Sequence, residues 1–187
     1  MNNSKFKETF APTIVLLAIC LVITIALVLT NGATAPQIAK IAKENADATR
    51  AIVLEDADSF TAYDGKLNEN VTELYFADNK CGAVVTTTSS SFGGTMTVMT
   101  GIDAEGKITG VKVTGHADTP GLGTKAMTDE YLAGSYAGDS VLTAAKVKDE
   151  AKAGTVDYIV GATVSSQGVY DAVRTALQQF NDCGGVK

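Results

Sequence analysis

Apolar and polar positions follow three different patterns along this chain. From Ala11 to Thr30 there is no alternation, because the run is uncharged and almost wholly apolar. At about 1.5 Å of rise per residue, a helix over 11–30 spans roughly 30 Å, the hydrocarbon thickness of a bilayer. One membrane-crossing helix is predicted there. Pro36 to Leu54 places Ile38, Ile41, Ala42, Ala46, Ala48 and Ile52 among its apolar positions, which predicts a second helix leading away from the span. A period of two then takes over. Val71–Ala77, Cys81–Thr88, Thr95–Ile102 and Lys107–Thr114 read as strands, with turns at Asp78-Asn79-Lys80 and Asp103-Ala104-Glu105-Gly106. Val98, Ile102, Ile108, Val111 and Val113 include the alternating positions that would face a core. Short helices are predicted at Asp129–Tyr136 and Ser140–Lys152. The clearest helix comes last, where Val169, Val173, Ala176, Leu177 and Phe180 form one apolar stripe with Arg174, Gln178 and Gln179 turned away. The expected fold is α+β: a single N-terminal transmembrane helix, then one domain with an antiparallel sheet packed by helices. The organisation reads as an N-terminal segment 1–10, the span 11–30, a helical connector 31–60 and a domain 61–187.

Charge sets the expected orientation. Lys5 and Lys7 closely precede the span, whereas the next basic residue is Lys40, so the positive-inside rule predicts a cytoplasmic N-terminus and an extracytoplasmic domain on the cell membrane. Ala33-Thr34-Ala35 has the look of a signal-peptidase site, but the apolar run exceeds the roughly 7–15 residues of a secretory signal core, which favours a retained anchor. The formal net charge is −6, the sequence pI is about 4.7, and there is no Trp and no basic cluster. Those features argue against nucleic acid as a partner. Cys20, Cys81 and Cys183 contain no Cys-x-x-Cys pair, and His116 is the only histidine, so neither an iron–sulfur cluster nor a zinc or other metal site is expected. Spacing alone does not decide whether Cys81 and Cys183 pair. Any electrons this chain moves must be carried by an added organic cofactor.

Candidate chemistry concentrates just before the last helix. Asp157-Tyr158-Ile159-Val160-Gly161-Ala162-Thr163-Val164-Ser165-Ser166 sets the Thr163 hydroxyl beside the small Gly161 and Ala162. Ser165 or Ser166 can cap the helix start. Free N–H groups and the positive end of the helix dipole would stabilise an anion held by Thr163. The segment resembles the Asp-x-x-(Ser/Thr)-Gly-Ala-Thr signature of the FMN-binding domain in the G subunit of Rnf electron-transport complexes and the C subunit of the sodium-pumping NADH:quinone reductase. Val160 stands where that family has Ser or Thr. The resemblance implies that Thr163 carries FMN through a phosphoester, made by a separate flavin transferase of the ApbE type that reads Asp157, Gly161, Ala162 and Thr163. A threonine hydroxyl is a poor nucleophile at neutral pH, so the modifying enzyme must supply the base and the metal. Thr163 is then an attachment point, and no catalytic residue is assigned in this chain.

Two further loops carry the same resemblance. Phe92-Gly93-Gly94 is similar to the family's aromatic-Gly-Gly turn, whose glycines would let the backbone approach a planar ring with Phe92 along it. His116-Ala117-Asp118-Thr119-Pro120-Gly121-Leu122-Gly123-Thr124-Lys125 resembles a His-x-Glu-Thr-Pro-Gly-Leu-Gly loop, with Asp118 in place of the Glu. The resemblance implies that Thr119, Gly121, Leu122 and Gly123 line a flavin pocket, that Lys125 sits near the phosphate or the pyrimidine edge, and that Ser165 and Ser166 lie beside the attachment point. The implied function is electron transfer by covalent FMN within a membrane-bound Rnf-type complex, which couples ferredoxin:NAD⁺ electron transfer to Na⁺ or H⁺ movement. Its partners would be other membrane, iron–sulfur and flavin subunits. Length favours the Rnf G subunit over the longer quinone-reductase C subunit. A membrane-anchored flavin-binding sensory domain is the reading from another class.

Overall fold

A computed structural model describes the backbone of residues 3–186 and the side chains of residues 10–186. Lys5 and Lys7, on which the expected orientation rests, lie outside the described side chains. The chain divides into two units, one ending at Asn45 and the other beginning at Ala46. The first, among the described residues, is helix alone. Helix α1 runs unbroken from Asn3 to Val53 through Pro12 and Pro36, so the two helices expected on either side of residue 30 are one. A proline inside a helix loses its own N–H bond and crowds the carbonyl four residues back, yet α1 continues through Pro36, and apart from Gly32 no other breaker lies between the two segments. It is the only helix among the described residues long and apolar enough to cross a membrane.

The second unit contains a five-stranded antiparallel sheet in the order β1-β2-β3-β4-β5, formed by β1 Phe60–Ala62, β2 Val71–Ala77, β3 Gly82–Ser91, β4 Gly94–Asp103 and β5 Ile108–Gly115. β1 falls outside the predicted strands because three residues are too few to show a period. β3 continues past Thr88 to Ser91, where Ser91 pairs with Gly94 across a two-residue turn. Those added residues are hydroxylic, which hides a strand from any apolar count. Helix α2 spans Asp129–Tyr136, with Thr128 Oγ1 accepting the Tyr131 N–H at 3.4 Å as its cap. Helix α3 is shorter than expected, only Val147–Ala153. The residues before it are held by the Glu150 carboxylate, which accepts the Ala144 N–H at 2.7 Å and the Tyr170 hydroxyl at 2.9 Å.

Helix α4, Thr163–Asp182, lies along one face of β3. Val169, Val173, Ala176, Leu177 and Phe180 meet Val85, Val98, Ile102 and Ile108 in the main core. The helix approaches so closely that a side chain on Gly168 would come within 2.7 Å of the Ser90 carbonyl oxygen. β3 hydroxyls use that closeness, Ser89 Oγ donating to Gly168 O at 2.7 Å and Thr87 Oγ1 to Ala172 O at 3.1 Å. Gln179 is not turned away as the stripe predicted. It is 1% exposed, accepting the Asn68 N–H at 2.6 Å and donating to Lys66 O at 3.3 Å. A loop that no periodicity reports covers this part of the helix. On the opposite face of the sheet, Val53 and Leu54 at the end of α1 pack with Ala77, Val84 and Met99. Gly101 and Gly110 leave room for the Val53 backbone, whose carbonyl accepts Thr109 Oγ1 at 2.5 Å. The thiols of Cys20, Cys81 and Cys183 form no disulfide.

Candidate functional site

A cavity of about 310 Å³ opens where three loops meet, lined by Phe92, Thr119, Leu122, Gly123, Gly161, Ala162, Thr163, Val164 and Ser165. Each loop arrives by a different route. Phe92 sits on the β3–β4 turn, Thr119 to Gly123 follow β5, and Gly161 and Ala162 lead into α4, which begins with Thr163 to Ser165. The wall is mainly apolar, and Phe92, Leu122 and Val164 remain exposed. A small concave pocket with few polar groups is the usual form of a cofactor site.

The start of α4 supplies the polar end. Its N-cap is Ala162, with no side-chain cap. The helix therefore begins earlier than the apolar stripe from Val169 signalled, and Ser165 and Ser166 are inside it rather than capping it. Ser166 is fully buried and its Oγ accepts the Ile159 N–H at 3.1 Å, tying down the turn before the helix. The first-turn N–H groups have no acceptor within the helix. With Thr163 as the first helical residue on the cavity wall, these donors and the helix dipole form a site suited to an anion. Gly161 has φ 90°, a left-handed conformation that the preceding turn requires and that favours glycine.

Behind the wall lies Asp118, 4% exposed. Its Oδ1 accepts Ser91 Oγ at 2.6 Å and the Gly93 N–H, while Oδ2 has no hydrogen-bond partner. Burial opposes the carboxylate's charge. The hydroxyls of Ser91 and Ser165, the Gly93 N–H and nearby His116 outweigh that penalty and hold the carboxyl below the ordinary range. Gly93 has no room for a side chain because it lies against the Ala117–Asp118 backbone. Asp118 thus fastens the β3–β4 turn to the loop after β5.

Residues 91–178 match the FMN-binding domain family. Over nearly its full length the chain also resembles components of ion-translocating oxidoreductases. It is 30% identical to the G subunit of the ion-translocating oxidoreductase complex of Methanosarcina acetivorans, the alignment covering 93% of this chain and 95% of the relative. It is 29% identical to the G subunit of the Na⁺-translocating ferredoxin:NAD⁺ oxidoreductase complex of Acetobacterium woodii, covering 95% and 94%. It is 27% identical to the G subunit of the proton-translocating ferredoxin:NAD⁺ oxidoreductase complex of Clostridium ljungdahlii, covering 100% and 97%. The chain belongs to the family of G subunits of ion-translocating oxidoreductase complexes.

In this G-type chain, the residues singled out in the sequence fall into two groups. Phe92, Thr119, Leu122, Gly123, Gly161, Ala162, Thr163 and Ser165 share the cavity wall. Gly93, Gly94, Gly121, Lys125 and Ser166 lie off it. Gly121 adopts φ 76° and donates its N–H to Thr124 Oγ1 at 2.9 Å, shaping the loop. Lys125 is exposed in the 3₁₀ turn Gly123–Met127. Asp157 holds the turn through its backbone carbonyl, which accepts the Tyr131 hydroxyl at 2.7 Å. Val160, where the family pattern has Ser or Thr, is 84% exposed and also off the wall. Sequence reasoning missed Val164, which stands outside the apolar stripe of α4, and the buried contacts of Asp118. Among the described residues, no group of three or more His, Cys, Asp or Glu is placed to hold a metal.

Proposed function

We propose that this chain carries FMN as a phosphoester on Thr163 and relays electrons within a membrane-bound complex that couples ferredoxin:NAD⁺ electron transfer to Na⁺ or H⁺ movement. The observation that carries this reading is the meeting of three separately encoded loops on one cavity, with Thr163 at a helix start on its wall. The residues present suit the group. Thr163 Oγ provides the ester oxygen, and the first-turn N–H groups face the phosphate's negative charge. Phe92 and Leu122 offer apolar surface to the ring, and Gly161 leaves space beside it. When bound, FMN supplies reversible electron transfer while the protein sets its position and electrostatics. Lys125, exposed two residues beyond Gly123, would add positive charge to this loop.

A flavin transferase of the ApbE type would install the group by recognising Asp157, Gly161, Ala162 and Thr163. The Thr163 hydroxyl is too weak a nucleophile to react unaided. A span without charged residues forms no ion path, so pumping belongs to partner subunits. The proposed orientation has the N-terminus in the cytoplasm and the domain outside.

Thr163→Val, expressed with such a transferase, should lose in-gel flavin fluorescence and the FMN mass on the peptide containing residue 163. The assembled complex should then lose ferredoxin-to-NAD⁺ electron transfer while its other subunits still reduce artificial acceptors. Covalent flavin on the variant would move the attachment elsewhere. Full coupled activity without flavin would favour the sensory reading.

A further inference from the structure

The buried carboxylate of Asp118 lies directly behind the cavity wall. Gly123 forms that wall with a backbone that does not need glycine's left-handed freedom. What it lacks is space, since a side chain there would come within 2.9 Å of Asp118 Cβ, Asp118 Oδ2 and Ser165 Oγ. Oδ2 thus lies directly behind two residues of the pocket wall, Gly123 and Ser165. Oδ1 is occupied by Ser91 and Gly93, whereas Oδ2 is buried and makes no hydrogen bond of ordinary geometry, with the Ser165 hydroxyl beside it. No cation pairs with this carboxylate among the ion pairs of the described residues. A buried charge this close to a pocket acts through a medium that screens poorly compared with water.

We propose that Asp118 sets the reduction potential of a flavin bound in this cavity, its fixed negative charge opposing electron uptake and holding the potential low. The inference rests on the reading that FMN occupies the cavity. Each electron delivered to the pocket adds negative charge at short range from Oδ2, so the carboxylate disfavours the reduced form more than the oxidised one. The Ser165 hydroxyl and nearby His116, which both favour the carboxylate, temper the effect without neutralising it. Asp118 acts as a positioning and charge-setting residue rather than a catalytic one.

Asp118→Asn removes the charge while keeping an oxygen to accept from Ser91 and Gly93. The midpoint potential of the FMN-loaded full chain is measured in an optically monitored electrochemical cell, with electrons supplied through mediator dyes. The variant's potential should be higher by on the order of a tenfold change in the ratio of reduced to oxidised flavin at fixed poise, about 30 mV for a two-electron couple. Asp118→Glu, which keeps the charge, should stay near the unmutated value. Should the Asn variant fail to fold, Asp118→Ser, also neutral, takes its place against Asp118→Glu. Loaded, folded neutral variants with an unchanged potential would overturn the inference and leave Asp118 as a structural clamp. Failure of the unmutated chain to take up FMN would instead overturn the reading on which it rests.

Discussion

Asp118 shows how much one side chain decides at this site. Its carboxyl is held below the ordinary value of 3.8, with burial opposing the charge and the Ser91, Ser165, Gly93 and His116 interactions outweighing it. A folded-state pKa below the unfolded one means the unfolded chain takes up this proton first as pH falls. The stabilisation is complete above the ordinary carboxylate range and is lost as pH falls through the folded value. Asp118→Asn should therefore flatten the acid limb of the stability curve below about pH 4 while changing little near neutrality in its slope, as urea unfolding across a pH series would report. A variant with an unchanged acid limb would show that other carboxylates govern it. Of this arrangement the sequence displayed only a His-x-Asp loop. The partners Ser91 and Gly93 lie at the end of β3 and in the turn after it, and no local spacing connects them to Asp118.

At the scale of elements, two close approaches hold the domain together. Helix α4 meets β3 at Gly168, where an added methyl would press on the Ser90 carbonyl and come within 3.4 Å of Met96 Sδ. Gly168→Ala should cost about 1–3 kcal/mol through overpacking, despite the higher helix propensity of alanine. A denaturation midpoint equal to or above the unmutated one would contradict this. Because α4 also carries Thr163, the same change should loosen the site. The second approach fixes the end of α1 to the sheet. Arg50 is 4% exposed, stacks on Tyr75 at 3.8 Å from the ring centre, and pairs with Glu73 at 2.8 Å and with Asp47. Arg50→Met should cost about 1–2 kcal/mol, since stacking is lost while the half-exposed carboxylates rehydrate. Thermal unfolding of the chain in detergent micelles measures it, and an unchanged midpoint would mean that apolar packing of Val53 and Leu54 suffices.

For the whole molecule, one apolar helix and one domain give a simple topology to test. With Cys81 and Cys183 replaced by Ser, Glu69→Cys offers an exposed thiol in the domain. A membrane-impermeant maleimide should label it in intact cells whose outer barrier has been opened. Labelling only after lysis would put the domain in the cytoplasm and reverse the reading from Lys5 and Lys7. An external domain would also mean that electrons must cross the membrane through other subunits to reach this flavin, because the chain's own span carries no redox group.

What the sequence determined by itself is whatever depends on near neighbours. The apolar part of α1, long enough to cross a membrane, follows from an uncharged run, helix α2 from its local pattern, and the hairpins from turn residues between alternating strands. The three loops were recognisable as motifs for the same reason, since each is contiguous. Tertiary structure decided the rest. It brought those loops to one cavity, buried Gln179 beneath the 66–68 segment, and extended β3 through hydroxyls that bond to the carbonyls of α4. Each of these depends on residues far apart in the chain, such as Thr87 with Ala172 and Asp118 with Gly93. Hydrophobic periodicity reports which side of an element faces inward, but not which distant group waits there to receive it.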